Sequence, residues 1–219
     1  MKRQSSIVNS PEGIIHVPRF NIRDCSPTIH YLSQTFMANT IHQYDQAVNS
    51  CKEIFIKKTK DYGTSWRVLR TISIVDQIFI KAKRIRTIQE NKQQKIDDNI
   101  QSEFMGILNY GVIGLIQLDK KNDEIDEVPV DLVEKLYSEK IEAAKSLMQN
   151  KNHDYGEAWR DMSQESFTDL ILTKLLRIKQ ILLNEGKTLI SEGIDANYFD
   201  IINYAAFALI LIGEGKHGK

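Results

Sequence analysis

One seven-residue pattern occurs twice, and this repetition constrains the fold more than any other feature of the chain. Residues 61–67 read DYGTSWR and residues 154–160 read DYGEAWR, an offset of 93. The match continues without a gap through a shared set of positions: Ser73/Ser166, Asp76/Asp169, Ile78/Ile171, Lys81/Lys174, Arg84/Arg177, Ile85/Ile178 and Ile88/Ile181. Two copies of about ninety residues indicate a tandem duplication, since a solenoid needs more and shorter repeats.

Bulk composition excludes several classes of protein. The 219 residues carry 29 basic and 29 acidic side chains, and a net charge of zero argues against non-specific DNA binding. The longest uninterrupted apolar stretch, residues 205–212, is far shorter than the ~20 residues that span a bilayer, so no membrane association is expected. Two cysteines, Cys25 and Cys51, without metal-ligand spacing and without a signal segment, predict a cytoplasmic location.

The chain is predicted to have four parts. Residues 1–36 hold three of the four prolines and show no sustained period, which is typical of a loosely structured extension. Met37 follows them, so a translation start there is a hypothesis. Helical repeat 1 is predicted over residues 37–121, a polar linker over 122–130, and helical repeat 2 over 131–219.

The apolar spacing predicts helices throughout both repeats. Apolar residues recur at three- and four-residue steps, and no run alternates as a strand would. The predicted starts of the six helices are Thr40 (capped with Gln43), Ser73, Asp98, Asp131 (capped with Glu134), Ser166 and Asp195. These patterns predict an all-α fold of two tandem three-to-four-helix repeats. Each repeat leaves one helix face uncovered, so we expect a pseudo-two-fold bundle, and a homodimer is possible.

The repeated turn has a structural and a functional interpretation. A glycine after a helix favours a positive φ, and tryptophan at a helix corner is typical of packing; both interpretations favour structure for Gly63, Gly156, Trp66 and Trp159. In the functional interpretation, Tyr155 or Trp159 stacks on a planar ring. Arg67 and Arg160 then bind phosphate or carboxylate, and for these arginines both interpretations stay open.

A second block places two cations on the middle helix of each repeat. The cations are Lys81 and Arg84 in repeat 1 and Lys174 and Arg177 in repeat 2. Both copies keep lysine and arginine without interchange, which indicates specific geometry, and phosphate binding is the natural use. The alternative is a solvated helix face.

The third helix differs between the copies. Repeat 2 carries four potential oxygen ligands, Glu192, Asp195, Asp200 and Asn203, whereas Gly106 stands where Asp200 stands and repeat 1 offers Glu103 instead. Carboxylates at helical spacing favour a Mg²⁺ site for a nucleotide phosphate, and repeat 2 is the better equipped copy. An acidic helix start that is merely solvated is the alternative.

These blocks resemble a bacterial family called nucleotide modification associated domain 1. The resemblance covers residues 40–213 and includes segments 60–67, 73–86, 152–160, 169–181 and 192–204. It implies an association with nucleotide or base modification. The all-α pattern with helix-borne acids and bases is also similar, more weakly, to nucleotide pyrophosphatases of the MazG and dimeric dUTPase kind.

Three functions follow as hypotheses. The first is a Mg²⁺-dependent enzyme that releases pyrophosphate from a nucleotide, with Asp200 and Asp195 as catalytic residues. The second is a module that binds a nucleotide or a nucleotide-like small molecule without turnover. The third is a helical scaffold whose repeated blocks are caps and corner packing.

Overall fold

The computed structural model of the protein describes residues 27–91, 99–120, 124, 127–190 and 192–218, with side chains described from residue 39 onward. The chain divides into an N-terminal unit, residues 1–41, and one compact unit, residues 42–219. The described part of the N-terminal unit is the start of a helix, and residues 1–26 of the predicted extension lie outside the described residues. The compact unit contains the blocks that occur in both repeats.

The fold is all-α, as predicted. The main helices in the described ranges are α1 Pro27–Tyr62, α2 Thr71–Asn91, α3 Ile100–Asp119, α4 Val130–Tyr155, α5 Gln164–Leu183 and α6 Ile194–Gly213. A short 3-10 helix follows the first main helix of each repeat, at Ser65–Val68 and Ala158–Asp161. Within the described ranges, each repeat therefore contains three main helices and one short one.

Several predicted helix starts were wrong. α1 begins at Pro27, so Thr40 and Gln43 lie inside the helix and form no capping box. The reason is that residues 28–62 contain neither proline nor glycine, while a proline is tolerated in the first turn of a helix. In α5 the N-cap is Ser163, whose side chain accepts a hydrogen bond from the backbone N–H of Ser166.

Two other helices also begin at a residue other than the predicted one. α4 follows Pro129, which supplies no side-chain cap, and Asp131 lies in the first turn. In α3 the side chain of Asn99 accepts a hydrogen bond from the N–H of Ser102 at 2.8 Å. The periodic core of each helix was predictable, whereas its first residue depends on local capping geometry.

The centre of the compact unit is a four-helix bundle formed by the second and third helices of both repeats. α3 packs against α6 and α2 against α5, and α2–α3 and α5–α6 pack within their repeats. Glycines on α3 let the two central helices approach closely: a Cβ at Gly114 would lie 2.5 Å from Cζ of Tyr198, and one at Gly111 would lie 2.8 Å from Cγ1 of Ile202. The α3–α6 contact therefore requires small residues on α3.

Reciprocal hydrogen bonds tie the outer helices α1 and α4 to this centre. The Tyr44 hydroxyl of α1 donates to Oδ1 of Asn203 on α6 at 2.8 Å, and the Tyr137 hydroxyl of α4 donates to Oδ1 of Asn109 on α3 at 2.8 Å. Each asparagine also donates to the first helix of its own repeat. Asn109 reaches the carbonyl of Cys51 and Asn203 that of Ala144, both at 3.1 Å. The exchange of partners between repeats is the relation expected of a pseudo-two-fold axis.

Burial keeps the hydroxyls of Tyr44 and Tyr137 and the thiol of Cys51 in their neutral forms. Desolvation raises the pKa of the Tyr44 and Tyr137 hydroxyls above their ordinary values and raises that of the Cys51 thiol to about 12. Both tyrosines are therefore permanent donors, and Cys51 is a buried packing residue.

Helix α6 has the length and composition of a membrane span. It is the one such helix in the described part of the chain, and most of it is buried against the other helices. This burial is typical of a core helix.

The tyrosine–asparagine bonds generate a stability prediction. Tyr44→Phe should lower the free energy of unfolding by about 1–3 kcal/mol, because Oδ1 of the buried Asn203 loses its donor. Chemical denaturation of the wild type and the variant measures the difference. Tyr155→Phe is the control, since that side chain is exposed; equal effects of the two substitutions would contradict a structural role for the bond.

Candidate functional site

The repeated turn joins the first helix of each repeat to its 3-10 helix. Gly63 and Gly156 have φ of 63° and 62°, which explains glycine at both positions. Trp66 and Trp159 are buried in the corner that follows. The structural interpretation of these four residues is therefore the one that the geometry supports.

Trp159 is engaged by its own protein. Its ring stacks on Phe207 with centroids 4.2 Å apart and an interplanar angle of 4°, and the guanidinium carbon of Arg160 lies 4.4 Å from the ring centroid. A ring held in this way is a packing residue, and stacking on a base would require these contacts to be given up. Of the two side chains predicted to contact a base, Tyr155 is 74% exposed, and its base contact stays a prediction.

Arg67 is bound by a glutamine and a backbone carbonyl. It is 5% exposed, and its guanidinium donates to Oε1 of Gln117 and to the carbonyl of Glu124. Gln117 in turn donates to the carbonyls of Arg67 and Leu69 at 2.9 and 3.0 Å. This closed set of bonds holds the turn against α3.

Arg160 is also anchored, by different partners from both repeats. It donates to Glu157 at 2.6 Å, to Glu214 at 3.0 Å and to Oε1 of Gln43 at 2.8 Å. Both arginines of the repeated motif are therefore committed to protein groups, which favours their structural interpretation.

Three of the four cations of the second block face an acid on the third helix of their own repeat. In repeat 1, Lys81 lies 3.1 Å from Oε2 of Glu103, and Arg84 binds the other oxygen of the same carboxylate. In repeat 2, Lys174 lies 2.5 Å from Oδ2 of Asp200. Arg177 is exposed and lines a surface cleft.

A second lysine, which the sequence analysis did not single out, completes the group in repeat 2. Nζ of Lys151 lies 2.6 Å from Oδ1 of Asp200. Burial lowers the pKa of Lys151, but the hydrogen bond and charge of Asp200 raise it, with a net increase. Its counterpart at the 93-residue offset is Lys58, and this shared position is the signal that could have identified both lysines.

The two acids occupy different positions in the alignment of the repeats. At the offset of 94, Glu103 corresponds to Asn197, and Asp200 corresponds to Gly106. The carboxylate of repeat 2 is therefore one helical turn further along than that of repeat 1. Gly106 leaves the second position without a side chain.

A cleft of about 430 Å³ opens in repeat 1 between α1, α2 and α3. Its lining includes Gly106, two lysines, two tyrosines and polar side chains: Lys58, Lys81, Tyr62, Tyr110, Gln77 and Ser102. No aspartate or glutamate is among the described residues that line it. The cleft is therefore lined by two ammonium groups, of which that of Lys81 is paired with Glu103, and by two tyrosines.

Repeat 2 carries larger or less polar residues at the equivalent positions. Leu170 stands for Gln77, Ala196 for Ser102, and Asp200 for Gly106. The larger number of acids predicts repeat 2 as the site, whereas the cleft lined by Lys58, Lys81 and Gly106 belongs to repeat 1.

The remaining predicted residues lie near the α5–α6 connection. Arg177, Glu192 and Asn197 line a cleft of about 690 Å³ there. Asp195 is exposed in the first turn of α6. This cleft brings Arg177 and Glu192 together but does not include Asp200.

Three of the predicted Mg²⁺ ligands, Asp200, Glu103 and Asn203, are engaged by protein partners. Among the described residues, no three His, Cys, Asp or Glu side chains are close enough to hold an ion. Asp200 faces two lysines, Glu103 faces a lysine and an arginine, and the amide of Asn203 is used by Tyr44 and a backbone carbonyl. Magnesium binding stays a prediction that this arrangement does not support.

The Asp200 group generates a stability prediction. Asp200→Asn should lower the free energy of unfolding by about 3 kcal/mol, because Lys174, 8% exposed, loses its counter-charge. Asp195→Asn on the same helix is the matched control and should cost less than about 1 kcal/mol, the scale of a helix-terminus charge. Chemical denaturation measures both, and a cost for Asp200→Asn no larger than the control would contradict a structural ion pair.

The anchor of Arg160 generates a pH prediction. Burial raises the pKa of Glu214, but hydrogen bonds from Lys216 and Gln43 and the charges of Lys216 and Arg160 lower it below its ordinary value. Glu214 therefore stabilises the fold above its unfolded pKa, and this contribution disappears as the pH falls through the lowered folded pKa.

At neutral pH, Glu214→Gln should lower the free energy of unfolding by about 0.5 kcal/mol, as exposed ion pairs do. Unfolding curves of wild type and variant across the acid range should converge. A difference that persists at the lowest pH would contradict the ionic origin, and the same comparison in a Lys216→Met background should give a smaller difference.

Comparison with known proteins identifies one family. Residues 58–118 and 151–212 each match the family model described as nucleotide modification associated domain 1. The two segments begin at Lys58 and Lys151 and contain the turn and the second and third helices of each repeat. Comparisons with curated proteins and with solved structures find no match.

Proposed function

We propose that this chain, which belongs to the nucleotide modification associated domain 1 family, binds a nucleotide or a nucleotide-like small molecule in the cleft of repeat 1. The observation that carries the proposal is the lining of this cleft, with two lysines, aromatic side chains and no acid among the described residues. The lining lies largely inside the first of the two segments that match the family.

The size of the cleft suits such a ligand. Small-molecule sites commonly enclose about 300–1,000 Å³ and combine apolar walls with a few polar groups. The volume of about 430 Å³ falls in this range. Because ammonium groups bind phosphate oxygens, Lys58 and Lys81 would hold the phosphates.

Aromatic and amide groups would hold the rest of the ligand. Tyr62 is 71% exposed at the edge of the cleft, and Tyr110 lies within it, so either ring is available for stacking on a base. Gln77 and Ser65 line the cleft and offer hydrogen bonds to a base or a sugar. Asn109 also lines it, but its amide already binds Cys51 and Tyr137.

Binding without turnover is the function that this arrangement supports best. Release of pyrophosphate needs an activated water, normally held by a base or by a metal ion. The lining of the cleft includes no carboxylate among the described residues, and Asp200, the predicted catalytic acid, is neutralised by two lysines. Hydrolysis by Asp200 and Asp195 with Mg²⁺ is the second hypothesis, and its support is the family's association with nucleotides.

A ligand panel tests the proposal. Nucleoside triphosphates, diphosphates and monophosphates, in ribose and deoxyribose forms, are titrated by calorimetry and by thermal unfolding. At a hundredfold excess over the dissociation constant, a bound ligand should stabilise the fold by about 2.7 kcal/mol. Lys58→Met should weaken binding about tenfold or more, because a charged hydrogen bond contributes about 1.5–3 kcal/mol.

Lys57→Met is the matched control. Lys57 is exposed, precedes Lys58 on the same helix and is not part of the cleft lining. Equal loss in both variants would attribute binding to general charge, and the absence of any bound nucleotide would favour the helical-scaffold hypothesis. Turnover is followed in the same samples with Mg²⁺ and with EDTA; pyrophosphate release that Asp200→Ala abolishes would favour the enzyme instead.

A further inference from the structure

The two repeats carry the same pair of lysines, but among the residues that the structure describes only repeat 2 gives the pair a shared acid. Lys58 and Lys151 occupy one equivalent position, and Lys81 and Lys174 the other. In repeat 2, one oxygen of Asp200 lies 2.6 Å from Lys151 and the other lies 2.5 Å from Lys174. The carboxylate therefore bridges two ammonium groups.

Gly106 stands at the position of that carboxylate in repeat 1. A Cβ built on Gly106 would lie 2.7 Å from Cε and 3.1 Å from Nζ of Lys81, so the side chain of Lys81 packs over Gly106 and would have to move to admit a side chain there. Lys58 lines the same cleft as Lys81 and Gly106. The helix at Gly106 has no unusual φ, so glycine is not required there by the backbone.

We propose that Lys58 and Lys81 form an anion subsite for a phosphoryl group, and that the group occupies the place of the Asp200 carboxylate. This inference rests on the proposed function, since it assigns the phosphate end of the same cleft. A phosphoryl group presents oxygens that can bridge two ammonium groups as a carboxylate does, with more charge. Repeat 2 supplies its own anion covalently, so one chain has one open subsite and one that is filled internally.

Glu103 does not take the place of this anion. It corresponds to Asn197 rather than to Asp200, and it lies one helical turn before Gly106 on α3. It faces Lys81 and Arg84 and is not part of the cleft lining. Its role is to position Lys81 beside Gly106.

Two substitutions of equal size at Gly106 separate charge from bulk. Gly106→Asp places a carboxylate where repeat 2 has one, and Gly106→Asn fills the same space without charge. The probe is inorganic pyrophosphate, titrated by calorimetry in buffer without divalent cations. Wild type should bind it at one site. Both substitutions displace Lys81, so the effect of charge is the difference between them, and Gly106→Asp should bind about tenfold or more weakly than Gly106→Asn.

The reciprocal substitution opens the second repeat. Asp200→Gly should bind a second pyrophosphate, and pyrophosphate should raise its melting temperature more than that of wild type, because the added anion replaces the lost partner of Lys174. This arm decides the matter if Gly106→Asp fails to fold, since it leaves repeat 1 unchanged.

Each result supports or overturns the inference. Equal pyrophosphate affinity of Gly106→Asp and Gly106→Asn, or no binding to wild type, overturns it. One site and no extra thermal stabilisation in Asp200→Gly overturns the equivalence of the two lysine pairs.

A nucleoside compared with its triphosphate separates this failure from that of the proposed function. If both bind the wild-type cleft equally and Gly106→Asp binds them as wild type does, nucleotide binding stands and the anion subsite is wrong. If pyrophosphate binding depends on Gly106 while no nucleotide binds more tightly than pyrophosphate, the subsite stands and the nucleotide proposal is wrong.

Discussion

The reciprocal pairing of two tyrosines with two asparagines is the interaction on which the rest of the compact unit depends. Asn109 and Asn203 lie on the central helices, and each uses its amide to bind one helix of its own repeat and one of the other. An amide enclosed in this way costs free energy unless both its donor and its acceptor are satisfied, so α1 and α4 are held in one register. Lys58 lies two turns beyond Cys51 on α1, and the cleft therefore inherits its geometry from the asparagine bond.

Duplication has produced two sites with the same cations and different acids. The third helix carries Asp200 in repeat 2 and Gly106 at the equivalent position in repeat 1. The Asp200 carboxylate forms an internal ion pair with the two lysines of repeat 2, whereas the equivalent lysines of repeat 1 line the cleft. Bridging two cations stabilises repeat 2 but removes the charge that a ligand would need. In the proposed function, repeat 1 therefore binds the ligand, whereas in repeat 2 the equivalent lysines contribute to an internal ion pair.

Repetition of a motif does not by itself identify the role of its residues. Arg67 and Arg160 recur because both hold a turn in place, one through Gln117 and the other through Glu157 and Glu214. A structural role and a ligand-binding role predict the same repetition, and only the partners of the guanidinium separate them. Lys58 lies outside the repeated turn and was not among the predicted site residues, although it matches Lys151 at the same offset.

The sequence by itself determined the helical class, the duplication and the positions of the turns, because these depend on periodicity, on glycine conformation and on a repeat that any alignment of the chain with itself reveals. The predicted start of α1 was wrong, because several neighbouring residues can begin a helix and the sequence pattern does not show which one does. Only the tertiary structure decided which cations share an acid. Asp200 lies between Lys151 and Lys174 in repeat 2, whereas Glu103 binds Lys81 and Arg84 in repeat 1. The distance between Lys174 and Asp200 is set by the packing of α5 on α6 rather than by their separation along the chain.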